Sequence, residues 1–402
     1  MLQKLKPKER MLAAMTGEPT DYLPCSIYFN TNLTVPGYDL TRWKDHVRLQ
    51  IDLGLDPVLY LHIPHSHHPK LSVNAHVHDN PEITTHLWSP DGPDVRTRTW
   101  IEEVDTEKYP VLFKEYRTPA GTLRHGVRYT PDWPHGEDIP WDDYSASNVY
   151  EPLVKTPEDV DAFSYVWAAP TEEEAARAAG LYAELQHCSE QSGAPIQGYG
   201  GRGLATLIAV MGAENAIMFA VDHPEAFKRL AEIDTRANVE RIRLCARAGA
   251  DFIKRFGGYE QTNFFSPAIF RDVVLPLLKE EVRVAHQEGV PIYYRVVTGM
   301  EPLLDSIAGA GFDCIEGGEP HLSQCSLEMW RDAFRGKASS WTGVSSPRLL
   351  GGGDERAVRE EVRRCVDVFG RRSFILGVTN SIRNHFLWEN TLALVDEWKK
   401  IR

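Results

Sequence analysis

The chain has 402 residues, 42% of them hydrophobic, which is enough apolar material for one large domain or two ordinary ones. Its formal net charge is −13, and the absence of any basic block argues against nucleic acid as a partner. No run approaches the ~20 apolar residues of a membrane helix, and the first residues lack the apolar core of a secretion signal. Six scattered cysteines without a C-x-x-C pair favour free thiols, so we expect a cytoplasmic protein.

Short β-type runs alternate with helical patterns along the chain, and most runs are as apolar as parallel strands covered on both faces. The predicted strands are 23–29, 57–62, 195–200, 251–256, 291–297, 312–317, 339–343 and 373–378. Helices are predicted at 224–248, 266–289, 301–309, 326–335, 355–369 and 388–400. This order predicts an α/β fold, a (β/α)8 TIM barrel. An open doubly wound sheet is the alternative, but its dinucleotide-binding glycine fingerprint is missing.

A long insertion follows the second predicted strand, at about 63–190. The stretches THLWSPDGPDVRTRTWIEEV and EYRTPAGTLRHGVRYT within it are typical of antiparallel hairpins with glycine-containing turns. We expect this β-hairpin-rich insertion to form a lid or side wall at the mouth, the carboxyl-terminal end of the barrel strands. Because no low-complexity linker or internal repeat is present, we predict one domain over 1–402.

Several stretches occur in an order that is characteristic of one family: KERMLAAMTGEPTDYLP, YRTPAGTL, AGADFIKRFGGYE, WTGVSSPRLLGGG and ENTLALV. Together they resemble the uroporphyrinogen decarboxylase superfamily, almost from end to end. The resemblance implies a TIM barrel. It also implies one of two activities, the decarboxylation of haem synthesis or methyl transfer by zinc enzymes that handle methyl-corrinoids. Fold alone does not decide between them.

The chain departs from the family at its functional motifs. The arginine run that binds the acid groups of the tetrapyrrole is replaced by FNTNLTVPG, and the second strand ends in histidines instead of an aspartate. Uroporphyrinogen is therefore not an expected substrate. With Gly299 as anchor, the zinc-ligand positions of the methyltransferases hold Val296, Thr298 and Asn380. These side chains cannot form the nitrogen and sulfur shell that zinc prefers, so we expect no metal there.

Arginine and lysine residues within two strands raise the question of which face they occupy. The resemblance places Val296 and Thr298 toward the mouth, with Tyr294 on the same side. By alternation Arg295 then points to the helices and pairs with a helix carboxylate, unless a strand-end twist returns it to the site. Lys254 and Arg255 are consecutive, so one of them must face the barrel interior.

We favour Lys254 as the inward residue, with Phe252 and Phe256 on its face. An inward cation needs either a carboxylate partner, for which Glu316 is the candidate, or an anionic substrate. Asn380 is placed on the inward side of the last strand with Leu376 and Val378.

Further candidates follow other strands, and each has a structural alternative as a turn or surface residue. The predicted catalytic residues are Lys254, Glu260 as a general base, Asn380 and His385. The predicted substrate-binding residues are Asn30, Asn32, His62, His65, His67, Tyr294, Thr298, Glu316 and Arg383. The histidine-rich stretch HIPHSHHPK is compatible with a metal site, a proton-transfer role or a surface loop. The glycine-rich GYGGRG around Arg202 is interpreted as a tight turn.

Three functional hypotheses follow. The first is a methyltransferase or demethylase without the family zinc, with a corrinoid or tetrahydrofolate as methyl carrier. The second is a cofactor-free decarboxylase or lyase acting on a smaller acid, and the third is a non-catalytic binding subunit. The expected partners are a small-molecule substrate, a corrinoid protein in the first case and a second copy in a homodimer, with no nucleic acid or membrane.

Overall fold

The computed structural model describes residues 4–30, 33–40, 42–60, 94–131, 133, 136–137, 139, 148–170 and 172–402. Seven parallel strands form a curled sheet, and four antiparallel strands form a second, smaller sheet. In chain order the strands are β1 (Leu59–Tyr60), β2 (Arg96–Glu102), β3 (Val111–Thr118), β4 (Gly121–Arg128), β5 (Val149–Glu151), β6 (Ile196–Tyr199), β7 (Phe252–Phe256), β8 (Ile292–Val296), β9 (Cys314–Gly317), β10 (Ser339–Val344) and β11 (Phe374–Val378).

The parallel sheet has the order β1-β6-β7-β8-β9-β10-β11, and its strands match the predicted runs to within two residues where both are described. The first predicted strand, 23–29, is an exception. It contributes isolated parallel bridges from Cys25 to Leu376 and from Phe29 to Ile382, beside β11. The α/β class and a TIM-barrel-like curvature are therefore confirmed, whereas eight complete strands are not seen in the described part of the chain.

The helices enclose this sheet at the predicted places. They are α1 (Pro7–Thr16), α2 (Trp43–Asp52), α3 (Asp159–Val166), α4 (Glu172–Ser192), α5 (Leu204–Met211), α6 (Ala213–Asp222), α7 (Pro224–Ala248), α8 (Pro267–Ile269), α9 (Leu275–Gln287), α10 (Leu304–Ala308), α11 (Leu327–Phe334), α12 (Glu355–Phe369) and α13 (Trp388–Ile401). Short π-helical turns at Phe270–Val274 and Ser346–Leu350 and a 3-10 turn at Glu301–Leu303 complete them. The Ser266 side chain accepts a hydrogen bond from the Ile269 nitrogen, so it caps its helix as predicted.

The second sheet, β2-β3-β4-β5, lies within the predicted insertion. Its strands β3 and β4 form a hairpin whose turn runs from Thr118 to Gly121, inside the predicted EYRTPAGTLRHGVRYT stretch. The hairpin prediction is thus confirmed for this part of the insertion. A lid or side-wall role for the insertion stays a prediction.

Two apolar layers cover the two faces of the parallel sheet. The outer layer packs strand residues such as Ile253, Ile292 and Ile315 against the surrounding helices. The inner layer contains α1 residues together with strand side chains: Met11, Ala14, Met15, Val58, Tyr60, Phe252, Tyr293, Cys314, Trp341 and Ile375. Helix α1 therefore closes the amino-terminal end of the curled sheet, and the rings of Phe252, Tyr293 and Trp341 form an aromatic floor.

The length and hydropathy of the helices show whether any of them could cross a membrane. Among the described residues no single helix is long and apolar enough to cross a membrane, and α5 with α6, which reach that length together, are bent by 111°.

A buried ionic network joins the sheet to the outer helices at Arg255. Its Nη1 and Nη2 donate to both carboxylate oxygens of Glu260, at 3.0 and 2.9 Å, and its Nε donates to Glu281 on α9 at 2.6 Å. Glu260 also accepts hydrogen bonds from the Tyr294 hydroxyl and the Leu204 nitrogen, at 2.6 and 3.1 Å. With these donors around it, Glu260 is the better stabilised carboxylate of the two.

Glu281 occupies a different electrostatic position in this network. It is fully buried, and among the described residues it accepts hydrogen bonds from Arg255 and from Asn238, the latter at 3.0 Å. One guanidinium cannot neutralise two buried carboxylates, so Glu281 holds its proton more tightly. Burial raises the pKa of Glu281 from its ordinary 4.5 to about 7, and the negative charge of Glu260 adds to the effect.

We predict that Glu281 makes the stability of the protein pH-dependent. Because its pKa is higher in the folded state, its contribution is complete below about pH 4.5 and is lost as the pH rises through about 7. Relative to a Glu281→Gln variant, the parent should lose on the order of 1–3 kcal/mol of unfolding free energy between pH 5 and pH 7.5. Urea unfolding of both proteins at several pH values measures this.

The two proteins share their other titrating groups, which makes the comparison a controlled one. Burial lowers the pKa of His46 to about 4 and that of His125 to about 3, and both histidines destabilise the parent and the variant alike in acid. Their effects cancel in the difference between the two unfolding free energies. A difference that does not change with pH would contradict the assignment to Glu281.

Candidate functional site

The inner face of the curled sheet changes from apolar to charged toward the carboxyl ends of its strands. On β7, Phe252 belongs to the aromatic floor, and Lys254 is the next residue on the same side. On β8, Tyr293 lies in the floor and Arg295 follows it, while on β9 Glu316 follows Cys314 in the same way. Alternation along each strand thus places Lys254, Arg295 and Glu316 together above the floor.

Both cations lie over one aromatic ring. Lys254 Nζ is 5.5 Å from the centroid of the Tyr28 ring, and Arg295 Cζ is 5.9 Å from the same centroid. At these distances the ring attracts a positive charge through its quadrupole. The Tyr28 ring is itself held at its edge by Tyr60, with 5.0 Å between their centroids. Lys254 is therefore the inward residue, as predicted, and it is partly exposed.

Arg295 connects three strand ends. Its Nη1 donates to Glu316 Oε1, and its Nη2 donates to Asn380 Oδ1 at 3.2 Å. Arg295 and Glu316 are 6% and 5% exposed, so the pair is almost dry. Burial alone lowers the pKa of Arg295, but the adjacent Glu316 carboxylate raises it overall, so the guanidinium stays charged.

Asn380 is fixed by its backbone as well as by its side chain. Its backbone nitrogen donates to Ser346 Oγ at 3.0 Å, and its backbone carbonyl oxygen accepts a hydrogen bond from the same hydroxyl at 2.6 Å. Its Oδ1 also accepts from the Ser381 nitrogen at 2.8 Å. Oδ1 is thus engaged twice, and the side chain, which is partly exposed, can donate through its amide nitrogen at the end of the strands.

The predicted orientation of β8 is wrong. Tyr294 and Val296 pack into the outer layer, and Arg295, which was expected to pair with a helix carboxylate, faces inward. The alternation was counted from Gly299, but β8 ends at Val296, and Gly299 has a positive φ of 62° in the loop beyond. Alternation holds only within a strand, so the count does not carry across this turn.

The same correction applies to β11 and to the role of Tyr294. Leu376 and Val378 belong to the outer layer on the other side of the sheet, so Asn380 does not share an inward face with them. It reaches Arg295 because it lies two residues past the end of β11 at Val378. Tyr294 donates to Glu260 and stacks on Phe312 at 4.9 Å, so it is a structural residue and not a substrate contact.

Glu260 is also corrected. It was expected to act as a general base, but it is 2% exposed and its oxygens accept from Arg255, Tyr294 and Leu204. A carboxylate enclosed by these protein donors has no open side toward a substrate. Gly203 packs directly against this carboxylate, because a Cβ at that position, where φ is +54°, would lie 2.0 Å from Glu260 Oε1.

The other predicted residues are distributed around the strand ends. Thr298 Oγ1 donates to Gln261 Oε1 at 2.7 Å, which joins the loops after β8 and β7. Asn30 is buried beside the last strand, where its nitrogen donates to the Ile382 oxygen at 2.9 Å. Arg383 is half-buried in the loop after β11, and His385 is exposed and packs on Phe386. The predicted residues Asn32, His62, His65 and His67, with His68, lie outside the described residues.

The three positions that hold zinc ligands in the methyltransferases carry other side chains here. Val296 is buried in the outer layer, Thr298 is bonded to Gln261, and Asn380 is bonded to Arg295. An alkyl group, a hydroxyl and an amide do not form a zinc shell, so this donor set does not fit the metal. Within the described ranges no three His, Cys, Asp or Glu side chains are grouped to hold a metal ion.

Tyr28 is a site residue that sequence analysis missed. Its neighbours Cys25, Ile27 and Phe29 pack in an outer apolar layer, which leaves Tyr28 on the opposite side of the segment. The alternation of the SIYF stretch contains this signal. The charge pair on β8 and β9 has no such signal, because Arg295 and Glu316 become partners only through the register of the two strands.

The arrangement can hold an anion and orient it. Lys254 and Arg295 supply fixed positive charge, and Asn380 supplies an amide donor, all at the end of the strands where TIM-barrel enzymes place their sites. Charge-assisted contacts of this type are stronger than neutral hydrogen bonds. We call Lys254, Arg295, Asn380, Glu316 and Tyr28 the cationic site.

Comparison with known proteins identifies the family to which the chain belongs. Solved structures of similar fold include a methyltransferase from Methanosarcina mazei, with a TM-score of 0.60, 16% identity and coverage of 98% of this chain and 99% of that one. A B12-independent methionine synthase from Shewanella sp. has a TM-score of 0.47, 11% identity and coverage of 94% and 96%. No curated protein sequence matches significantly. The family model for uroporphyrinogen decarboxylase (URO-D) matches residues 131–401. The chain belongs to the uroporphyrinogen decarboxylase family.

Proposed function

We propose that this chain is a methyltransferase or demethylase that binds a small anionic substrate at the cationic site. It would move a methyl group between that substrate and a corrinoid or folate carrier. The observation that carries the proposal is the position of Lys254 and Arg295 over the Tyr28 ring at the strand ends. The end-to-end similarity in fold to a methyltransferase supports methyl transfer as the reaction.

Each residue has a defined task in this proposal. Lys254 and Arg295 bind the substrate anion, and the Asn380 amide orients it from the last strand. The aromatic floor below them excludes water from the inner end of the site. The carrier, when bound, supplies or accepts the methyl group. Since the zinc positions do not hold zinc ligands, fixed cations and an amide donor take over the stabilisation of developing negative charge.

A decarboxylase or lyase that acts on a smaller acid is the second candidate. The same two cations favour it, because fixed positive charge stabilises the electron pair that remains when carbon dioxide leaves. The buried Glu316 beside Arg295 provides a carboxyl group in the site. A non-catalytic binding subunit is the third, and the polar side chains at successive strand ends disfavour it.

The reaction type is tested by following the methyl group and the carboxylate separately. We expect the purified protein, incubated with cob(I)alamin or tetrahydrofolate and a panel of small methylated acids, to form methylcobalamin or methyltetrahydrofolate. Absorbance and mass spectrometry detect these products. Carrier-independent release of labelled carbon dioxide from carboxyl-labelled acids would contradict methyl transfer and establish the second candidate. If neither product forms while the acids bind, the binding-subunit hypothesis holds.

Two substitutions test the role of the cationic site in substrate binding. Lys254→Met removes the charge and keeps the length, and Asn380→Ala removes the amide. Losing a charge-assisted contact costs about 1.5–3 kcal/mol, so each variant should weaken substrate binding or turnover by roughly ten- to a hundred-fold. Calorimetric titration and steady-state kinetics measure these changes.

Lys279→Met is the matched control, because Lys279 is exposed on α9, away from the inner face. It should bind and turn over substrate like the parent. Circular dichroism and thermal melting should show that all three variants fold. Folded Lys254→Met and Asn380→Ala proteins with parental affinity and turnover would contradict the assigned site.

A further inference from the structure

Glu316 is the carboxylate of the cationic site, and only one of its two oxygens accepts a hydrogen bond from the described residues. It lies on β9 and is 5% exposed. Its Oε1 accepts a hydrogen bond from Arg295 Nη1. Its Oε2 is buried as well, and it has no hydrogen-bond partner among the residues that the structure describes. A buried carboxylate oxygen in this state is costly and calls for a partner.

The geometry of Arg295 explains why Oε2 is left over. A guanidinium facing a carboxylate usually binds both of its oxygens in parallel. Arg255 binds Glu260 in this way within the same fold, through Nη1 to Oε2 and Nη2 to Oε1. Arg295 instead gives Nη1 to Glu316 and Nη2 to Asn380, so its second donor is diverted to another strand.

Two neighbouring donors on the inner face are engaged elsewhere. The Tyr293 hydroxyl donates to Gln197 Oε1 at 2.5 Å. Trp341, the register partner of Glu316 on β10, donates its Nε1 to the Ser26 oxygen at 3.1 Å. These two side chains therefore do not satisfy Oε2. A donor group on a molecule that enters the site can satisfy it.

We propose that the substrate is a small carboxylate that carries an N–H or O–H group, and that this group donates its hydrogen to Glu316 Oε2. The carboxylate of the substrate binds Lys254 and Arg295, and the donor group reaches deeper, beside Glu316. Glu316 is then the residue that selects acids with a donor over acids of the same size without one. This inference rests on the proposed function, since it uses the same cationic site.

The test uses isosteric acids that differ only in the donor. An amino group and a methyl group have nearly the same size, so 3- and 4-aminobenzoate are compared with 3- and 4-methylbenzoate by isothermal titration calorimetry. A hydrogen bond to a charged oxygen predicts that at least one aminobenzoate binds about ten-fold or more tightly than its methyl counterpart. In Glu316→Gln, where an amide N–H can replace the free oxygen, the ratio of the amino to the methyl affinity should fall to about one. The loss of one negative charge beside Arg295 changes the affinity of both acids in the same direction and cancels in this ratio.

Glu316→Gln keeps a carbonyl acceptor for Arg295, so the fold should be retained, and thermal melting verifies this. Equal affinity of the amino and methyl acids in the parent would overturn this inference and leave the anion site of the proposed function intact. A preference that survives in Glu316→Gln would assign the donor contact to another residue and overturn it as well. The absence of binding by all four acids at millimolar concentration would overturn the cationic site itself, and with it the proposed function.

Discussion

Alternation of side chains along β7 forces two adjacent cations onto opposite faces of the sheet, and the rest of the structure accommodates that constraint. Arg255 enters the outer layer and needs neutralisation there, because an unpaired buried charge costs several kcal/mol. Glu260 and Glu281 provide it from a loop and a helix. Lys254 enters the inner face, where it shares the Tyr28 ring with Arg295. The outer charge is paired with two carboxylates, and the inner charge lies on the face where we propose that the substrate binds.

The two arginine–carboxylate pairs differ in their hydrogen-bonding geometry. The outer pair is bidentate and surrounded by further donors, and it ties the start of α5 and strand β8 to the loop after β7 through Leu204 and Tyr294. These contacts lie in the outer layer, on the opposite side of the sheet from Lys254. In the inner pair Arg295 divides its donors between Glu316 and Asn380, and Glu316 Oε2 has no hydrogen-bond partner within the described ranges. The outer pair is therefore bidentate and the inner pair is not, and this difference is the basis of the proposed binding role of Glu316.

The sequence predicted the elements of this fold well because their signals are local. Ser266 and Gly289 delimit a helical stretch by capping and by positive φ, and α7 has the predicted bounds, beginning at Pro224. Lys254 was assigned to the inner face because Phe252 and Phe256 share its alternation. The first predicted strand forms only isolated bridges, because its pairing depends on the distant residues Leu376 and Ile382.

The cationic site was predictable only in part because its key contacts join residues far apart in sequence. Arg295 was placed on the wrong face by a count through Gly299, beyond the end of β8. Its partners Glu316 and Asn380 come from two other strands. Glu260 was expected to be a base because its loop is glycine-rich, and only the packing of Gly203 against it shows that it is enclosed. The side chains at the family zinc positions, in contrast, can be read directly from the sequence, because their chemistry does not depend on the fold.

The central claim is that the inner face binds an anion between Lys254 and Arg295. Anomalous diffraction from crystals soaked in bromide tests this directly, because bromide reports the position of anion sites without any assumption about the substrate. The account predicts a strong bromide peak in contact with Lys254 Nζ and the Arg295 guanidinium, beside the Tyr28 ring. Peaks confined to surface cations such as Arg247 and Arg283, with none on the inner face, would contradict it.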